Sequence, residues 1–364
     1  MDFIISIFSH LDSVIAIILV LGGLIFIHEL GHFLAFRSLG VGIVTFSIGM
    51  GPKIWGVKKG KTTYQIAAFP FGGYVAAVGE YSKDVEEIGF TQEEAVSNRP
   101  AWQRMYFAFA GPFANLLTAW AIYTLLAFTS GMNILLPQVG ALLPDSPAMS
   151  AGLQEKDLIV AIDGKTVSSW NEVPDIVNNS GGKTMKFTIE RNNENMDVLI
   201  DPQKMPRLNI FGEEEIAWLI GIQPMGTIRT EELGFAASLK QGVTQSRDMI
   251  VLTLTGLKKM VTGSVSADSV GGPLLIGEMI AKQAENGIVS LLLLTALISV
   301  NLGLLNLLPI PILDGGLIFF CLVEMIIRRP VPEKLQERLM QLGALLLIAL
   351  MIFATFNDIM RWFR

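Results

Sequence analysis

Long apolar runs alternate along the chain with segments of ordinary polarity, and the run lengths set the architecture. A helical bilayer crossing takes about 20 apolar residues. Four stretches reach that length: Ser13 to Phe36, Met105 to Ser130, Ile288 to Leu313 and Leu339 to Asn357. Pro309 and Pro311 must end the third helix inside its apolar run, because proline lacks an N–H and clashes with the preceding turn. The run from Met249 to Leu257 is too short to span and reads as an interfacial helix. Two regions have a different texture. Residues 42–78 carry β-branched and aromatic residues broken by glycines, the pattern of hairpins. Residues 138–203 read as short strands and turns around one helical segment, WNEVPDIVNN.

The expected order is a first span in 1–37, a β-region and loop in 38–104, and a second span in 105–131. An inserted domain (138–203) and a connector of strands and an interfacial helix (204–287) follow. A third span (288–313), a loop (314–338), a fourth span (339–357) and a tail (358–364) complete it. The fold class is a polytopic α-helical membrane protein with four transmembrane helices, a membrane-re-entrant β-hairpin region and an inserted α+β domain.

Composition supports the spans. The chain is 51% hydrophobic and 16% charged, with a mean hydropathy of +0.50. A soluble domain carries about 25% charged residues, so a wholly water-facing surface is excluded. Lys and Arg number 27 against 33 acids, a net charge of −6, which leaves no basic footprint for nucleic acid. A lone Cys321 excludes a disulfide framework and a Cys-rich zinc ribbon. No Lys or Arg precedes the first apolar run, so that run reads as a retained span. Cations cluster in 37–104 (Arg37, Lys53, Lys58, Lys59, Lys61, Lys83, Arg99, Arg104) and between spans three and four (Arg328, Arg329, Lys334, Arg338). Both segments are therefore expected on the cytoplasmic side, with 131–287 and both termini outside.

The sharpest chemical signal is His28-Glu29-Leu30-Gly31-His32. Residues four apart share a helix face, so both imidazoles can hold one metal ion, and Glu29 stands beside them to take a proton from the attacking water. Composition alone makes the pattern an event of about 0.001 per chain. A carboxylate within a membrane helix costs about 2.5–3.5 kcal/mol, so Glu29 needs a metal or a cavity. An open zinc site needs a third protein ligand. His10 lies too far upstream, at about 27 Å along a continuous helix. Asp314, in LLPIPILDGG, is the only charge between Glu285 and Glu324. Two prolines break the chain before it and two glycines follow, which suits the inward delivery of a ligand. The alternative for Asp314 is a turn acid at the interface.

The order DSPAMSAGL, KDLIVAIDGKTV and a late hairpin resembles a bacterial PDZ domain, a module that adds a peptide to a sheet edge. A small α+β unit without a ligand, or one that excludes bulky polypeptide by size, are the other readings. Residues 42–78 read either as a re-entrant sheet beside the polar helix, tolerable where protein or water covers its backbone, or as two cytoplasmic hairpins.

Taken together, HELGH, GPFAN (Gly111 to Asn115), one PDZ-like unit and SVNLGLLNLLPIPILDGG resemble the site-2 protease family of intramembrane zinc metalloproteases, in its regulator of sigma-E protease (RseP) type. The resemblance covers nearly the whole chain. It implies zinc held by His28, His32 and Asp314, with Glu29 as catalytic base. It implies substrate handling by Asn301, Pro309 and Pro311, and a membrane-re-entrant β-loop over 42–78. Its partners would be single-span membrane proteins such as a pre-trimmed anti-sigma factor, with a trimmed peptide end at the PDZ-like domain. Its place would be the bacterial inner membrane, with the PDZ-like domain and both termini periplasmic. From the residues themselves, Asn301 either holds an unwound substrate backbone or joins two helices. Two rival functions are weaker. A scaffold with a structural zinc has no use for Glu29, and a metal transporter needs further ionisable residues in its spans, which spans two and four lack in their middles.

Overall fold

The computed structural model describes residues 12–79, 89–209, 212–263, 271–361 and 363; His10 and Lys83 lie outside them. Four helices are long and apolar enough to cross a membrane: α1 (Asp12–Ser38), α2 (Ala101–Ser130), α7 (Ile288–Asn306) and α9 (Glu333–Arg361). The chain divides into two compact units, 1–125 with 239–255 and 266–364, and 126–238 with 256–265.

In the first unit, strands β1 (Ile43–Lys59) and β2 (Thr62–Ala77) follow α1. They do not form one simple ribbon. The first half of β1 pairs on both sides, so that Thr45 faces Thr63 and Ala76, and Ile48 faces Ile66 and Gly73. The second half, from Lys53 to Lys59, pairs with the start of β2. The result is four strand segments, with 73–77 on one edge. That edge is fixed by Ala35 and Phe36 of α1, Val41, Ile43, Ala77 and Phe107 of α2, which form one buried cluster with Val75 packed against it. The opposite end of the sheet exposes Ile54 and Trp55, 70% and 62% accessible.

Two spans end where small residues or proline allow. Gly303 of α7 sits on α2, where a Cβ would come 3.0 Å from the Pro112 carbonyl, and Ala119, Tyr123, Ala296 and Val300 close the contact. α7 stops at Asn306, inside the apolar run to Leu313 and just before the two prolines expected to end it. Beyond it lies a tight turn with Ile310 N–H donating to the Leu308 carbonyl and Leu313 N–H to that of Ile310, at 2.7 and 2.8 Å. The expected loop over 314–338 is largely helical: α8 (Asp314–Ile327) precedes a short connector, and α9 begins at Glu333. The cations at 328 and beyond suggested a loop, but the apolar run GGLIFFCLVEMII carries only Glu324, whose carboxylate pairs with Arg104 of α2.

The expected short helix at 249–257 is also longer. α5 (Phe235–Val261) has 27 residues, because polar residues such as Lys240, Gln245, Arg247 and Lys258 interrupt the apolar run without interrupting the helix. Helix α6 (Pro273–Glu285) completes this unit, its N-terminal amides at Gly272 and Leu275 donating to the buried Asp358 carboxylate of α9.

The second unit contains β3 (Met132–Leu135), β4 (Val139–Leu142), α3 (Pro147–Ser150), β5 (Leu158–Ile162), β6 (Lys165–Thr166), α4 (Glu172–Asn178), β7 (Met185–Arg191) and β8 (Glu194–Ile200). An antiparallel sheet runs in the order β6-β5-β7-β8. After it come β9 (Gln203–Leu208), β10 (Glu214–Leu219), β11 (Ile222–Pro224) and β12 (Ile228–Glu231). The expected boundary at 203 is too early, since β11 returns to pair with β4 and β12 with β3. Ile220 shares the core of Val139, Ile159, Phe187 and Ile189. Pairing across so many residues leaves no mark in a local window.

Candidate metal centre

The centre is built on a close approach of α1 and α2. Gly31, between the two histidines, meets α2 so tightly that a Cβ there would clash with the Ala110 carbonyl. Gly111 of α2 lies under both rings; a Cβ would clash with His32 Nε2 and come 2.8 Å from His28 Cε1. Glycine costs about 1 kcal/mol relative to alanine in a helix, so two of them at one crossing mark a contact that a methyl group would destroy. His32 Nδ1 donates to the Phe107 carbonyl at 2.8 Å, which turns Nε2 inward.

Asp314 arrives from the far end of the sequence. The chain folds back on itself after α7, and Gly315 and Gly316 make this possible, since a Cβ on either would strike the Leu307–Leu308 or Ile310 carbonyls. Pro309 and Pro311 occupy that break, immediately before Asp314. The break sets the Asp314 carboxylate against both rings: Oδ2 is 3.1 Å from His28 Nε2, and Oδ1 is 3.4 Å from His32 Nε2. The two Nε2 atoms are 3.1 Å apart.

These separations test the donor set for zinc. Ligand atoms about 2.0–2.1 Å from a tetrahedral centre lie about 3.3 Å from one another. The two Nε2 atoms stand 3.1 Å apart and each has an Asp314 oxygen at 3.1 or 3.4 Å, Oδ2 for His28 and Oδ1 for His32, while one ligand atom from each residue lies within 4.8 Å of the others; two imidazoles with one carboxylate are a donor set of catalytic zinc. The residues fit the metal. The side chains of His28 and His32 are each 12% exposed and that of Asp314 is 22% exposed, so the three are largely buried but not sealed from solvent. Glu29 lies on the neighbouring side of α1, where the edge segment of β2 approaches it: a Cβ on Gly73 would sit 3.4 Å from Glu29 Cγ.

The structure thus brings His28, Glu29, His32, Asp314, Pro309 and Pro311 into one region. Asn301 stands elsewhere on α7. Its Oδ1 accepts from Thr253 Oγ1 of α5 at 2.8 Å, the helix-joining arrangement, because a carboxamide inside apolar helices is satisfied by the nearest hydroxyl. Asn306, the last residue of α7, is half-buried at the break. Two contributors escaped the sequence reading: the Phe107 carbonyl, which no side chain could announce, and Gly111, whose segment GPFAN was noted without a role for the glycine.

Residues 16–350 match peptidase family M50. The Campylobacter jejuni protein named "Putative zinc metalloprotease Cj1068" is 38% identical over 349 residues, covering 95% of this chain and 93% of that one. Zinc metalloprotease RasP of Geobacillus kaustophilus is 30% identical over 427 residues, covering 97% and 99%. Among solved structures, the PDZ domain of an SdrC-like protein of Listeria monocytogenes is similar at 26% identity, covering 24% of this chain and 84% of that one, with a TM-score of 0.20. Relatives that align over nearly the whole chain, and a zinc-type donor set with two histidines on the membrane-length α1 and an aspartate after the break that ends α7, make the chain a member of peptidase family M50, a zinc metalloendopeptidase of the site-2 type.

Proposed function

We propose that this protease hydrolyses a peptide bond within or near the transmembrane segment of single-span membrane proteins. One observation carries the reading: His28 and His32 sit in the C-terminal half of the apolar, membrane-length α1, and Asp314 follows directly on the break that ends the membrane-length α7. His28, His32 and Asp314 would hold the zinc. Bound there, the metal supplies Lewis-acid activation of water and of the scissile carbonyl.

The chain's own groups do the rest. Glu29 accepts the proton of the attacking water and returns it to the leaving amine. A substrate helix hides its carbonyls in hydrogen bonds and must unwind. The outer segment 73–77 of the sheet, beside Glu29, offers a ladder to which the unwound segment adds as a strand. On this reading residues 42–78 are re-entrant, and the exposed Ile54 and Trp55 face lipid. Pro309 and Pro311 contribute by shaping the substrate side of the break. Asn301, held by Thr253, contributes to substrate binding only through its remaining N–H group.

The cation-rich segments 37–104 and 328–338 are assigned to the cytoplasm of a bacterial inner membrane. The 126–238 unit and both termini are then periplasmic. That unit acts as a PDZ domain, receiving the trimmed end of a substrate by strand addition. A substrate already cut outside the membrane, such as an anti-sigma factor in envelope stress signalling, supplies such an end.

Reconstitution with a model single-span substrate tests the reading. Glu29→Gln is expected to keep its zinc and lose cleavage. Cleavage at the wild-type rate by a zinc-loaded Gln variant would overturn it.

A further inference from the structure

Two imidazoles that offer Nε2 to one cation must each carry a proton on Nδ1, and each such proton needs an acceptor. Helix α2 faces both rings with one stripe, Phe107, Gly111 and Asn115, spaced four residues apart on a single side. At one end the Phe107 carbonyl takes the His32 proton at 2.8 Å. A carbonyl only accepts, so that tautomer is fixed.

At the other end the neighbour of His28 is Asn115. Its Nδ2 lies 3.4 Å from His28 Nδ1. An amide N–H in that position would bond to the Nδ1 lone pair and leave the ring proton on Nε2, pointing at Asp314 Oδ2 and closing the ring to a cation. Asn115 Oδ1 is buried and has no hydrogen-bond partner among the described residues, and the residue as a whole is 1% exposed. The oxygen is an acceptor with nothing to accept. The two ends of a carboxamide are nearly equal in shape, so a half-turn about χ2 places Oδ1 on His28 Nδ1–H. Position is secured from the third span, where Ser299 Oγ donates to the Asn115 carbonyl at 2.7 Å.

We propose that Asn115 is a positioning residue of the zinc site, its side-chain oxygen accepting the Nδ1 proton of His28 and so keeping Nε2 free for the metal. The inference rests on the reading of His28 as a ligand. α2 then serves both histidines alike, with a backbone oxygen for one and an amide oxygen for the other, and Gly111 between them leaves room for the rings.

The test uses full-length protein in detergent, with zinc affinity read by chelator competition and geometry read from the visible spectrum of the cobalt-substituted protein. Asn115→Leu keeps the branching and the number of heavy atoms and removes the acceptor; it is expected to weaken zinc binding about 10–100-fold and to shift the cobalt bands. Asn115→Asp keeps an acceptor and is expected to hold zinc at least as tightly as wild type. The zinc-free Leu variant is expected to melt close to wild type, and the zinc-free Asp variant below it, because a carboxyl in a membrane helix is costly without the metal. The proposal is overturned if the Leu variant keeps wild-type affinity and spectrum, or if Asp weakens binding as much as Leu, which would make Asn115 a donor. It is also overturned if the zinc-free Leu variant melts early in proportion to its loss of zinc, which would reduce the residue to packing. His28→Ala separates the underlying assumption: full zinc retention by that variant would remove His28 from the ligand set whatever Asn115 does.

Discussion

Gly111 leaves no space for a side chain beneath His32: a Cβ there would clash with Nε2 and stand 2.6 Å from Cε1. Elsewhere in a helix, replacing glycine with alanine stabilises by about 1 kcal/mol. Here overpacking of about 1–3 kcal/mol wins, and the rings that must move are the two proposed to hold the metal. Gly111→Ala is expected to lose zinc about ten- to a hundredfold more readily and to lose proteolysis with it. Metal content after dialysis against a chelator checks this; a zinc-replete, active variant would contradict the packing.

The histidine pair, the glutamate and the distant aspartate were legible because each is an ionisable group in apolar text, where a charge must have a reason. Asp314 needed no contact map, only the two prolines and two glycines around it. Helix boundaries were read less well for the same physical cause. Hydropathy marks where a chain is apolar and not where a helix begins, so the start of α8 and the length of α5 were hidden by the charged residues at their ends. Non-local pairing left no local trace either, which is why β11 and β12 fell outside the expected domain. Asn301 was open to two readings because a carboxamide in a span has two uses, and its partner, the Thr253 hydroxyl, lies on a helix the sequence showed only in part.

The prolines before Asp314 give a second prediction. With Pro309 and Pro311 both replaced by alanine, the apolar run is free to continue as helix past Asn306, and each added residue advances the chain about 1.5 Å along the axis. Asp314 then leaves its place 3.1 Å from His28 Nε2. Misplacement by 1 Å costs about a hundredfold in rate, so the double variant is expected to lose at least that much activity together with tight zinc retention. Pro309→Ala alone is expected to do less, since Pro311 still breaks the helix. Equal activity in the double variant would show that the turn does not depend on proline.

Arg104 and Glu324 tie α2 to α8, with side chains 19% and 20% exposed. Such a pair stands between an exposed bridge, worth up to about 1 kcal/mol, and a buried one whose disruption costs about 3–5. Arg104→Gln leaves the Glu324 carboxylate unpaired and is expected to destabilise by about 1–3 kcal/mol. Zinc retention should weaken too, because α8 carries Asp314. The exchanged pair, Arg104→Glu with Glu324→Arg, is expected to recover most of both. A thermal double-mutant cycle measures the coupling, and additive losses would deny it.

Glu94 supplies a pH-dependent contribution. The Lys61 ammonium, 2.8 Å away, and then the Thr91 N–H hold its carboxyl below its ordinary value of 4.5. A lowered pKa means the stabilisation is present above that ordinary value and fades as pH falls through the folded one. The pair is exposed, so its worth is a few tenths of a kcal/mol, about the lower range for surface bridges. The melting difference between wild type and Glu94→Gln is expected to be small at pH 7 and to vanish in acid; a difference that grew on acidification would reverse the sign.

In the second unit the Asp157 carboxylate is 1% exposed and takes Arg191 Nε and Nη2, each at 2.7 Å, with the Gln154 N–H at 2.8 Å. Because Arg191 also reaches the Gly152 carbonyl at 2.9 Å, the guanidinium links the start of β5 to the end of β7. Arg191→Leu would strand a buried carboxylate and is expected to cost about 3–5 kcal/mol, whereas removing both charges with Asp157→Asn costs less. Amide exchange over 139–200 reads this directly: protection should collapse in the single variant and partly return in the double. Zinc retention should be unchanged in both, since none of the three donors lies in this unit. A single variant with full protection would mean that the ion pair contributes specificity of pairing and not stability.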